Sequence, residues 1–490
     1  MKKRIILALC LIILSCMTAC NDNSASADPT QPDYSGTFRA GFGRVDITPD
    51  LGIGLAGYGD DGTRRAQEIL DPLYMTCVAL TDAKENTVLL ITYDNIRTEP
   101  SVYNAVVAKI TKKLGIPKEN IIYSATHTHN SPDSANGNYS TVIKDAALEA
   151  ATLAMADRLP AEMYIGNAYS QGLNFVRHYV MDDGSVWGTE YQSESGLSFV
   201  GHETEVDNEV QLINLKRQCG KDILMMNWRG HPIQDGRDYY TISSGYVSPC
   251  RSTIEKELDC HFAYYQGCSG NVSDNSNIRS EQNFKNLQEQ GKKLAQCAID
   301  VLDNLKKVET GPIEVKMTVY KGNVRRDSQE FILACSTFSS VIESGGSVYE
   351  AQKATNFLVR SKWAISGVTN RANRYRAGNG KFDLDLYAIT IGDVAFLSTP
   401  NELFDNTGMQ IKEASPYEQT FILYLANGRG NYVPSEPAFT NGCYEKDQGY
   451  FVKGTAEELV TVYTSMLNEL KAEKPVEKPI DEFDSKLPNA

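Results

Sequence analysis

His127 and His129, in Ala125-Thr126-His127-Thr128-His129, are two of only six histidines in the chain. Neutral imidazole is the commonest metal ligand, and His-x-His at a strand end is a recurring start of a hydrolytic zinc site. On an extended segment residues two apart project to one side, so both rings are expected to face one cavity. The alternative is a pair of half-buried loop imidazoles hydrogen-bonded to their surroundings. Asp133 does not stand in the Asp-His arrangement that a metallo-β-lactamase site places directly after His-x-His, which argues against that chemistry. His231, in Asn227-Trp228-Arg229-Gly230-His231-Pro232, is the third candidate, because it follows the apolar stretch 223–226. His178, His202 and His261 have no such setting and read as structural.

Such ligands need strands that end at a common face. The segments 76–80 and 87–93 read as strands around a polar turn at 82–86. Apolar residues at helical spacing over 102–114 stop at Gly115-Ile116-Pro117, and 121–125 is a short apolar strand that delivers the His-x-His. Strand, helix, strand, then polar residues at the carboxyl end of the strand is the α/β habit. An amphipathic helix over 283–305, a hairpin over 386–398 about Gly392-Asp393, and a final helix opening with a Thr455/Glu458 capping box complete the pattern. The expected fold is α/β, with layered mixed sheets flanked by helices in one large catalytic domain over 38–472 and a disordered tail over 473–490.

The chain has 490 residues, 41% hydrophobic and 22% charged, with ordinary Gly and Pro content, which excludes a disordered or coiled-coil protein. Its formal charge of −14 argues against nucleic acid as a partner. Lys2, Lys3 and Arg4 precede an apolar run over 5–14 that is too short to span a bilayer. Met17-Thr18-Ala19-Cys20 then resembles a bacterial lipobox. Residues 1–19 are therefore expected to be a lipoprotein signal peptide, and 20–37 a flexible tether. Cys20 is expected to carry a lipid anchor, making this an exported envelope protein, periplasmic or at the cell surface. A plain secretory signal cut after Ala19 is the alternative. The eight cysteines beyond Cys20 contain no CxxC pair, so a zinc ribbon or thioredoxin-like motif is unsupported.

Ala40-Gly41-Phe42-Gly43-Arg44-Val45-Asp46-Ile47-Thr48-Pro49 with Gly57-Tyr58 resembles the amino-terminal signature of the neutral/alkaline (non-lysosomal) ceramidase family. The likeness continues in order through Ala125-Thr126-His127-Thr128-His129, Gly270-Asn271-Val272-Ser273, Thr399-Pro400-Asn401-Glu402-Leu403-Phe404 and Asn431-Tyr432-Val433, then Tyr444-Glu445. The resemblance implies one Zn2+ held by His127, His231, Glu402 and Tyr432. It also implies a catalytic or supporting role for His129, a substrate-side Arg177, help at the reacting carbonyl from Tyr444, and Ser273 on a segment often assigned a nucleophile. No His-Asp partner for Ser273 is visible, and a metal-activated water is the other attacking group. Three segments depart from the family: Gly-Asn-Val-Ser-Asp-Asn replaces Gly-Asp-Val-Ser-Pro-Asn, Asn227-Trp228 stands one residue closer to His231 than the family has it, and Arg-His-Tyr at 177–179 stands where the family has Asn-Arg-Ser-Pro. Fewer than about fifty residues follow Glu445, too few for the family's carboxy-terminal immunoglobulin-like domain. The implied activity is hydrolysis of an N-acyl lipid to a fatty acid and a sphingoid base or related amine. A smaller amide, ester or lactone is the rival substrate, and a non-catalytic surface-binding lipoprotein the rival from another class.

Overall fold

Every residue of the strands Thr87–Tyr93 and Ile121–Ala125 is buried, as strands covered on both faces must be. A computed structural model describes residues 34–58, 63–233, 240–274 and 287–472. The leader with Cys20, the tether to residue 33 and the tail 473–490 lie outside these residues, as does the start of the 283–305 helix. Contacts divide the chain into Met1–Ser35 and Gly36–Ala490, and the second unit is described here.

Two sheets form its centre. The larger runs His261–Gln266, Ile223–Trp228, Glu209–Arg217, Leu159–Tyr169, Arg39–Asp46, Tyr74–Thr81, Thr87–Tyr93, Ile121–Ala125, with Lys306–Val308 also paired to Leu159–Tyr169. The smaller runs Ile313–Asn323, Lys381–Ile391, Val394–Ser398, Gln419–Leu423. Val78, Leu90, Ile213 and Met225 of the first pack against Ile389, Phe396, Phe421 and Leu423 of the second, so the sheets stack face to face. The outer face of the larger sheet is covered by the helices Pro100–Leu114, Tyr139–Ala156, Val247–Leu258 and Leu287–Ile299. Thr455–Ala472 covers the smaller sheet, burying Leu459, Tyr463, Met466 and Leu470. The result is a layered α/β fold, as the strand and helix patterns require.

Within these two sheets most pairings are antiparallel, but three are parallel, and each needs a helical crossover. Thr87–Tyr93 reaches Ile121–Ala125 through Pro100–Leu114; Ile223–Trp228 reaches His261–Gln266 through Val247–Leu258; Val394–Ser398 reaches Gln419–Leu423 through Asp405–Glu413. His127, His231, Glu402 and Tyr432 all follow the carboxyl ends of strands from these pairs, where open α/β sheets place their ligands.

The expected hairpin is present as Lys381–Ile391 and Val394–Ser398. The expected capping box is not. Thr455 Oγ1 is buried without a partner, and Glu458 accepts from Tyr320 instead. A complete box sits at Ser347 and Glu350, within the helices Gln329–Glu343, Val348–Ala354 and Trp363–Ala377, which the sequence patterns had left unread. These three helices enclose a small core of their own around Phe331, Phe338 and Val359. They dock through Arg371, which donates to the Asp447 and Gly449 carbonyls beside the helix Tyr444–Gln448. All eight described cysteines are free thiols.

Candidate metal centre and active-site cavity

The backbone that carries His127 is not extended. Its φ is +70°, a left-handed conformation that is uncommon for a non-glycine residue and concentrated at functional sites. The strand ends at Ala125, and His127 N donates to Asn95 O across the turn. The two rings still converge, with centroids 5.0 Å apart, but a turn brings them together, where strand alternation was expected to do so.

His127 donates from Nδ1 to Ile96 O at 2.6 Å, and His231 from Nδ1 to Ser269 O at 3.1 Å. Each imidazole is thereby fixed with its Nε2 edge toward the other. The two Nε2 atoms face each other at 2.9 Å, and Glu402 Oε2 lies 3.5 Å from that of His127. Two ring nitrogens this close in a buried site have to share a proton or a metal ion. His129 is buried as well, and neither of its ring nitrogens has a hydrogen-bond partner among the described residues. Nitrogens of all three imidazoles lie within 4.8 Å of one another. Burial, then neighbouring cationic groups, holds His129 and His231 well below the ordinary imidazole pKa, so both are neutral. Burial alone would raise the Glu402 carboxyl, but His127, Tyr432 and Arg177 more than offset it and keep Glu402 ionised. Two imidazoles, a carboxylate and a phenol form the N/O donor set that zinc prefers, so the residues fit the ion.

Tyr432 and Glu402 are neighbours because the short parallel strands Asn401–Leu403 and Asn431–Val433 pair them directly. Gly270 presses on this pair: a Cβ there would lie 2.7 Å from Glu402 O and 2.8 Å from Leu403 O. Gly57, at φ +118°, leaves the same kind of room for the His129 ring. These two close approaches explain the glycines of the Gly57-Tyr58 and Gly270-Asn271-Val272-Ser273 segments.

Behind the centre lies a buried charge network. Arg177 donates to Glu445 Oε1 at 2.7 Å, to Gly270 O at 2.8 Å and to the Tyr432 hydroxyl at 3.4 Å. His178 lies 3.2 Å from Glu445 Oε2 and 2.7 Å from Glu203 Oε2. Burial opposes ionisation of Glu445, yet Arg177 and His178 pull its pKa down to about 2. Burial and the Glu402 and Tyr444 oxygens push the Tyr432 phenol well above its ordinary value, so without a cation it stays protonated. Arg177, expected on the substrate side, therefore sits behind Tyr432 and steadies it. His178, read as structural, proves to be Glu445's second partner.

A cavity of about 190 Å³ opens onto the centre. His127, His129, Glu402, Tyr432 and Tyr444 face it, and the Tyr432 and Tyr444 rings pack edge to face at 5.6 Å. Arg177, His231 and Ser273 are not among the described residues of its lining. Ser273 is buried in a parallel bridge to His231, whose N–H donates to Val272 O.

Fold and site together define a layered α/β protein built around a buried candidate metal centre. No family model matches the chain. A solved structure described as a ceramidase complexed with C2 superposes with a TM-score of 0.67, over 90% of this chain and 76% of its own, at 15% identity. The neutral ceramidase of Pseudomonas aeruginosa gives the same TM-score and coverage at 17% identity. The fold of this chain is that of the neutral ceramidases.

Proposed function

We propose that this protein is a zinc-dependent hydrolase of ceramidase type, cleaving an N-acyl bond into a carboxylic acid and an amine. A fatty acid and a sphingoid base or related amine is the product pair the family likeness suggests. The observation that carries the reading is the convergence of the His127 and His231 Nε2 atoms at 2.9 Å, each ring oriented by an Nδ1–H bond to a carbonyl, with Glu402 beside them. His127, His231, Glu402 and Tyr432 would hold the ion. Bound zinc supplies a Lewis acid for the carbonyl and brings the pKa of a water toward neutrality.

The chain's own groups supply the rest. His129, with two unpartnered nitrogens in the cavity, is placed to take a proton from the attacking water and pass it to the leaving amine. Tyr444, kept protonated by burial, donates toward the carbonyl oxygen as charge develops there. Arg177 fixes the Tyr432 oxygen, and Glu445 fixes Arg177. The lipobox likeness at Cys20 supports anchoring to the bacterial envelope.

Metal analysis with turnover of a panel of N-acyl amines tests this. Stoichiometric zinc, loss of turnover on chelation and recovery on adding zinc are expected, and His127→Ala should lose both metal and activity. Full activity in metal-free protein would exclude the proposal. Zinc binding with no turnover of any amide, ester or lactone would favour the surface-binding alternative.

A further inference from the structure

The wall of the cavity beyond the metal centre is polar. Arg429, Asn370, Asn431 and Gln448 line it, against only two aliphatic side chains, Ile96 and Leu425. Both aliphatics are 3% exposed, and the rest of the apolar surface comes from the rings of Tyr432, Tyr444 and Tyr450, so the polar groups make up the larger share of the wall. No large hydrophobic side chain exposed among the described residues belongs to this lining. An alkyl chain leaving the centre by this route would lie against carboxamides and guanidinium, stripping their water without replacing its hydrogen bonds. The cavity is also small. Pockets that enclose drug-sized ligands run roughly 300–1,000 Å³, against about 190 Å³ here.

Two groups on this wall are open to a ligand. Arg429 reaches Glu99 Oε1 through Nη1 alone, at 2.9 Å, and its side chain stays 39% exposed. Its Nε and Nη2 bond to no described residue. Asn370, exposed on the helix Trp363–Ala377, likewise has no bond to a described residue. Arg97 beside them is committed to Glu99 and Asp133 and supplies the floor.

We propose that the substrate arm in this cavity is short and polar, bearing a carboxylate or hydroxyl that Arg429 and Asn370 bind, so that the preferred substrates are compact polar amides. A guanidinium edge is suited to such oxygens and offers nothing to a methylene chain. This rests on the hydrolase reading above, and it replaces the long-chain lipid of the family likeness with one class of compact polar amide.

The test compares two amides on the zinc-loaded full chain: N-acetylglycine, and N-palmitoyl sphingosine in mixed micelles. Turnover and calorimetric binding are both measured, on wild type, Arg429→Ala and Asn370→Ala. The wild type should favour the polar amide in kcat/KM. Arg429→Ala should raise KM for that amide about tenfold, narrowing the preference by the same factor while zinc content stays at the wild-type value. Faster turnover of the long-chain amide, or an equal loss on both substrates in Arg429→Ala, would overturn the proposal while leaving the hydrolase reading intact. Arg429-dependent binding of the polar amide without hydrolysis would uphold the subsite and remove the hydrolase reading. Absence of polar-amide binding in the wild type, with zinc bound, would overturn the subsite.

Discussion

Replacing Glu445 by Gln removes one negative charge from the network behind the metal centre and leaves the side chain's size unchanged. The Glu445 side chain is 1% exposed and takes Arg177 at 2.7 Å and His178 at 3.2 Å. Moving its pKa from the ordinary 4.5 to about 2 corresponds to about 3 kcal/mol in favour of the ionised folded form. Loss of one partner from a buried ion pair costs about 3–5 kcal/mol, so Glu445→Gln should lose about 3 kcal/mol at pH 7. The sign with pH follows from the depressed value. The contribution is complete above 4.5 and disappears as pH falls from there toward about 2. Wild type should therefore exceed the variant by about 3 kcal/mol at pH 7 and by progressively less at pH 4 and pH 3. Urea unfolding of chelator-treated protein, followed by tryptophan fluorescence, measures this without interference from metal release. A gap below about 1 kcal/mol at pH 7, or one that is the same at pH 7 and pH 3, refutes the charge clamp.

Tyr432→Phe should bind zinc more weakly and lose most activity, whereas Tyr444→Phe should retain zinc and lose roughly 10²–10³-fold in kcat; metal titration beside steady-state kinetics separates the two. Gly270→Ala places a methyl group 2.7 Å from Glu402 O, so zinc affinity should fall more than thermal stability does, as dialysis against a competing chelator will show. Cys20→Ser should shift the protein from the detergent phase to the aqueous phase on partitioning, and a wild type that is already aqueous would exclude the lipid anchor.

The sequence was most legible where structure is set by neighbouring residues. The strand Ile121–Ala125 is a run of buried residues closed by a turn, and its bounds could be read to the residue. The helix Pro100–Leu114 begins two residues earlier than its apolar spacing indicated, because proline is well placed in a first turn. Legibility failed where partners are distant. His178 gains its role from Glu203 and Glu445, which are 25 and 267 positions away, and no local pattern announces that. The left-handed turn at His127 is held by Asn95 and Ile96 on another loop, so an extended reading was the natural local one. The three helices within 329–377 bury only short apolar faces against each other, and such stripes are weak against their polar surroundings. The Ser347/Glu350 box was readable, while Thr455 and Glu458 match its spacing without its geometry.

The proposed donors run from residue 127 to residue 432, on segments that follow strands of both sheets. With the ligands proposed above, a nascent or clipped chain that stops short of Asn431–Val433 would lack one of them, so full coordination would arise only after nearly the whole polypeptide has been made and packed. An ion held there also ties the two sheets across a long stretch of chain, and it stabilises only the folded form. At a free concentration of about 1,000 times Kd this amounts to about 4 kcal/mol. On the proposed zinc reading, metal supply would set how often the sheets part far enough for a protease to cut, and so how long each molecule survives.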